Sequence, residues 1–85
     1  MDNNICYRVF YGQIIRFQRL TSDRVDFEIR VRSLASILIA RGYNKNKLRT
    51  QFSKAINKYM IEFYKWDIPS DLQSWFDLIV SELSS

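Results

Sequence analysis

Eighty-five residues with 47% hydrophobic and 15% aromatic side chains carry enough apolar surface for one small core, which argues against disorder and leaves no room for two domains. Two glycines and one proline are too few turn signals for a sandwich or barrel, so the composition leans to helices. The net charge of +4 is unevenly spread: all thirteen bases fall in residues 1–65 beside five acids, whereas residues 66–85 hold four acids and no base.

The pattern predicts an all-α fold, a small bundle of three to four helices at about residues 5–20, 23–41, 45–65 and 70–83, with a helix-turn-helix corner at 41–44. In the first segment Ile14, Ile15 and Phe17 share an inward face, and Arg16 and Arg19 lie one turn apart. Gly12 interrupts it, marking either a close neighbour or the true helix start. Ser22 or Asp23 opens the second helix as an N-cap, because a short side-chain oxygen accepts from the free amides of the first turn. Phe27, Val31, Leu34, Ala35 and Leu38 follow at helical spacing. The same stretch also alternates like a strand, Val25, Phe27, Ile29 and Val31 against charged residues. The helical period that continues unbroken to Gly42 favours the helix.

Asn44 caps the third helix, with Tyr43 and Leu48 at hydrophobic-staple spacing. Leu48, Phe52, Ala55, Tyr59 and Phe63 make its apolar stripe, and Ile56 and Met60 widen it. Lys47, Lys54, Lys58 and Lys65 form a second, basic stripe. The break comes at residues 66–75, where Pro69 cannot sit in a continuing helix. The fourth helix starts either from a Ser70–Gln73 capping box or from Asp67 with Pro69 in the first turn. Leu72, Trp75, Phe76, Ile79, Val80 and Leu83 then face inward.

Catalysis finds little support. The chain has no histidine, so the usual neutral-pH base is missing, and one cysteine without histidine rules out an ordinary zinc site. No phosphate-binding glycine loop occurs, and no cofactor is expected. Glu62 is expected in solvent or paired with Lys58 or Lys65. Tyr59, Phe63, Tyr64 and Trp66 could stack on bases, but helical spacing makes them core residues first. No apolar run approaches the roughly 18 residues of a membrane span. Lone Cys6 and a non-basic N-terminus point to a cytoplasmic or nuclear setting.

Binding has the better case. A basic stretch attracts polyanions, and the corner puts Arg41, Lys45, Lys47 and Arg49 where a helix also offers free amides. Lys54 and Lys58 extend this set, and Arg16 and Arg19 form a second patch. Lysine near a helix N-terminus opposes the macrodipole, so its presence there calls for an anionic partner.

Residues 11–52 resemble the helix-turn-helix segment just downstream of the catalytic region in reverse transcriptases of Penelope-like and related retroelements. The resemblance rests on Gly12, Arg16, Arg19, the Thr21-Ser22 turn, Phe27, Leu34, Leu38, Arg41-Gly42-Tyr43 and Leu48 in that order. It implies a thumb-like helical bundle that holds a DNA, RNA or hybrid duplex against a polymerase carried elsewhere. The paired aspartates of such a polymerase are absent from this sequence, so the chain is expected to be non-catalytic alone. The alternative is a protein-interaction module in which Tyr7, Phe10, Tyr11, Tyr64 and Trp66 form a self-dimer face or dock on a reverse transcriptase catalytic region. The acidic last helix would then fold over the basic face.

Overall fold

The computed structural model describes residues 4–63 and 68–83, with side chains from Tyr7 onward. Helix α1 spans Asn4–Ile15 and runs into a π-helical turn at Arg16–Thr21; α2 spans Arg24–Ala40, α3 Lys45–Phe63 and α4 Leu72–Glu82. The described residues contain no strand. The strand-like alternation at 25–31 is helical. Its four apolar residues divide between two faces, Phe27 and Val31 buried, Val25 and Ile29 exposed.

Gly12 lies inside α1 with open space where a Cβ would stand, so it marks neither a close neighbour nor a helix start. The π turn ends where the Ser22 amide bonds the Phe17 carbonyl, with Ser22 left-handed at φ 55°. It holds Phe17 inward, stacked on Phe27 at 4.7 Å. Asp23 rather than Ser22 caps α2, accepting from the Asp26 amide at 3.1 Å.

The Ser70–Gln73 capping box is not seen, and Pro69 lies ahead of the helix rather than in its first turn. Helix α4 begins at Leu72 after an Asp71 that makes no side-chain cap, and Gln73 turns away from Ser70 to bond Asp77 and the Arg49 carbonyl. Asp67 lies outside the described residues.

Side-chain pairs set the topology. Helices α1 and α3 lie side by side in the same sense, with Phe10 on Phe52 near their middles and Arg19, beyond α1, on Phe63 at the end of α3. Helix α4 runs back along α3, where Phe52 stacks on Phe76 at 4.1 Å and Arg49 reaches Ser81. Helix α2 keeps step with α4 through Arg24–Asp71, Phe27–Trp75 and Arg32–Glu82. Neighbours around the bundle are therefore α1, α3, α4 and α2 in that order. Helices α2 and α3, consecutive in the chain, sit on a diagonal and meet at their corner rather than along their lengths.

Phe10, assigned from sequence to a dimer face, is instead fully buried at the centre. It sets its ring edge-on against both Phe52 and Phe76, an arrangement that aromatic quadrupoles favour. Tyr11, from the same assigned face, is half-buried and donates to Glu62 at 2.7 Å. Tyr59 is buried in the core, and Phe63 packs at its edge under the Arg19 guanidinium. Tyr64, Lys65 and Trp66 lie outside the described residues.

Candidate nucleic-acid interface

The corner is built as its residues dictate. Gly42, at φ +97°, donates to the Ile39 carbonyl while Tyr43 donates to that of Leu38, both at 3.0 Å. This pair of bonds is a Schellman motif, which satisfies carbonyls that a helix end leaves free. Asn44 Oδ1 then accepts from the amides of Asn46 at 2.7 Å and Lys47 at 3.3 Å. Tyr43 packs at the edge of the core that contains Leu38 and Leu48. Arg41, Gly42, Tyr43, Asn44 and Lys47 line an open depression of about 220 Å³. The Lys47 ammonium lies 5.8 Å from the Tyr43 ring centre, within cation–π range.

The basic residues singled out by sequence separate into two kinds. Among the described residues, no carboxylate lies within the 4.0 Å ion-pair distance of Arg41, Lys45, Lys47 or Lys54. Lys47 and Lys54, seven residues apart, share one flank of α3. Lys45 stands on the other flank, one turn from Arg49. Arg49 is occupied: it bonds Asn46 at 2.7 Å and Ser81 at 2.8 Å, and Asp77 lies 3.9 Å away. Lys58 faces Glu62 at 3.4 Å and the Tyr11 ring at 5.7 Å.

Arg16 and Arg19 are not part of the corner. Arg19 sits over Phe63, the last residue of α3, while Lys45 is the first. At 1.5 Å per residue these points are about 27 Å apart along the helix. Arg16 is held by Asp26 at 3.3 Å.

The acids explain the division. Asp26 is shared by Arg16 and Arg30, and Glu28 and Asp71 both engage Arg24. Glu82 faces Arg32. Helix α4 and the residue before it thus lay their acids on arginines of α2 and α3, neutralising that side and leaving the corner cationic. Hydrogen bonds from Arg24 hold the Asp71 carboxyl below its ordinary range. Desolvation works against the Asp26 anion, but bonds from Arg30 and Arg16 outweigh it and lower that carboxyl too. Tyr11 and Lys58 likewise lower Glu62, while burial and the bond to Glu62 push the Tyr11 hydroxyl up to about 12.

Among the described residues no cluster of His, Cys, Asp and Glu could hold a metal, and no helix is long and apolar enough to cross a membrane. No family model, curated protein or solved structure matches the chain. The Asp71 and Asp77 carboxylates are held by different arginines, Arg24 and Arg49.

Proposed function

We propose that the chain is a nucleic-acid-binding helical module that grips a phosphate backbone with the corner between α2 and α3. The observation that carries this reading is that the four cations on the corner and the flanks of α3, Arg41, Lys45, Lys47 and Lys54, have no carboxylate partner among the described residues, whereas six other bases are ion-paired. Charge without an internal acid remains available for phosphate, and its binding releases condensed counterions. Arg41 and Lys47 border one open depression and make the primary contact; Lys54 extends the track along α3. Arg49, Lys58 and Arg16 are secondary, because each must first release an acid.

The ligand is a DNA, RNA or hybrid duplex, and the contacts read backbone rather than base edges. The resemblance of residues 11–52 to the thumb-like segment of retroelement reverse transcriptases supports the same class of ligand and a polymerase as the working partner. The test is binding of short duplexes of all three kinds across a salt series, by fluorescence anisotropy. The reading requires affinity that falls steeply as salt rises; salt-independent affinity, or none for any duplex at low salt, refutes it.

A further inference from the structure

Helix α2 carries apolar residues on two opposite faces. One face, with Phe27, Val31, Ala35 and Leu38, is buried in the core. The other carries Val25, Ile29, Ser33, Ser36, Ile37 and Ala40, all exposed, with Val25 67%, Ile29 61% and Ile37 49% accessible. Large apolar side chains on both sides of a helix normally mean neighbours on both sides, and here one side has none among the described residues. The remaining large exposed apolar residues, Leu20, Ile61 and Leu78, sit singly on three other elements. The outer stripe of α2 is continuous and uncharged, its aliphatic residues separated only by serines and an alanine. It runs nearly the full helix, about 25 Å at 1.5 Å per residue. Depressions lie on both sides of it, one lined by Val25, Ile29, Arg32 and Trp75, the other by Gln13, Ile29, Ser33 and Leu34.

The charges on α2 specify the partner. Asp26 and Glu28 are taken up by Arg16, Arg30 and Arg24, and Arg32 by Glu82, which leaves Asp23 at the start of α2 and Arg41 at its end as the charges of this helix without an ion-pair partner among the described residues. Its acidic end therefore complements its own basic end. A parallel neighbour of the same sequence would set like charges together; an antiparallel one sets acid on base and also opposes the helix dipoles favourably. Ser33 and Ser36 keep the stripe low between Ile29 and Ile37, so two helix axes can approach closely. Their hydroxyls can also bond a backbone carbonyl of their own helix, so a neighbour that covers them leaves no donor unmet. Centring the pair on Ser33 places Ile29 opposite the second copy's Ile37, four residues to either side.

We propose that this outer face of α2 is a self-association surface, on which a second copy of the chain packs its own α2 antiparallel across a two-fold axis near Ser33. The pairing is isologous, each copy offering the same patch. It uses none of the aromatic residues that sequence reading assigned to a dimer face.

Sedimentation equilibrium of the full chain, from micromolar to millimolar concentration, tests it without any nucleic acid. The mass should climb from 10.2 kDa towards twice that value. An Ile29→Glu/Ile37→Glu variant should hold the monomer mass throughout with an unchanged helical circular dichroism spectrum. Ser33→Arg provides a second variant, with the same loss expected. Orientation is read in a Cys6→Ser background by mixing Ile29→Cys chains with Ile37→Cys chains under oxidation. Disulfides between the two kinds should exceed those within either. A wild-type chain that stays monomeric at millimolar concentration overturns the proposal, as does dimerisation of both folded variants or a predominance of self-paired disulfides.

Discussion

Arg41 and Arg49 lie eight residues apart near one corner and have the same side chain, yet the structure treats them differently. Arg49 faces α4 and is held by Ser81, Asn46 and Asp77. Arg41 caps α2 beside an open depression and meets no carboxylate among the described residues. The same contrast separates two sides of the molecule. Where α4 lies, Arg24, Arg32 and Arg49 serve the fold; at the corner, Arg41, Lys45 and Lys47 meet no acid among the described residues. A basic residue's role is thus set by where the nearest acid packs, not by its place in a basic run.

The largest test of that contrast exchanges the two sets. Replacing Arg41, Lys45 and Lys47 by alanine should weaken duplex binding by about two orders of magnitude at low salt. On DNA it should also flatten the salt slope by about 0.9 for each phosphate no longer neutralised. Thermal stability should hardly move. Replacing Arg24 and Arg32 should leave affinity within about twofold, since each is engaged by an acid. Anisotropy titrations paired with thermal melts check both, and equal loss of affinity from the two variants would dissolve the distinction.

The corner's backbone is the next lever. Gly42 sits at φ +97° with free space around it, so only its conformation resists a side chain. Gly42→Val should cost about 1–2 kcal/mol in urea unfolding. Arg24→Ala should cost about 1 kcal/mol or less, because its pairs with Asp71 and Glu28 are partly exposed. The stacking of Arg24 on Trp75 adds packing that a charge-only account omits. Gly12→Ala should act in the opposite direction, stabilising by about 0.5–1 kcal/mol, since Gly12 is helical and nothing crowds its missing Cβ.

Titration offers the gentlest probe, read by chemical denaturation at a series of pH values. Asp26, Asp71 and Glu62 have folded pKa values below the ordinary 3.8 and 4.5, so their stabilising effect is present above those values and fades as pH falls through them. Tyr11 works at the alkaline end: its folded pKa of about 12 exceeds the ordinary 10.0, so the folded state holds a proton the unfolded chain releases. That contribution is intact below pH 10 and is lost as pH rises towards 12. Tyr11→Phe should remove the alkaline limb and weaken the Glu62 part of the acid limb.

Much of the local architecture is legible in the sequence. Helical periodicity identifies the helices and nearly all of their buried stripes, and the chemistry of Gly42 and Asn44 specifies the corner's caps. These depend on neighbours within a few positions, where backbone geometry decides the outcome. The start of α4 is not legible, because Gln73 has a stronger use elsewhere, on Asp77 and the backbone of α3. Nor is the place of Phe10, whose burial depends on Phe52 and Phe76, more than forty residues away.

What the sequence by itself determined is an all-α chain with a capped corner and an excess of base over acid. Only the tertiary structure decided which of those bases keep their charge to themselves. It did so by placing the acids of α4 against α2 and α3, and by leaving one face of α2 uncovered by the other described residues. Ion pairing and burial fall off within a few ångströms, so they depend on which helices become neighbours, and the order α1, α3, α4, α2 is not written in any local pattern.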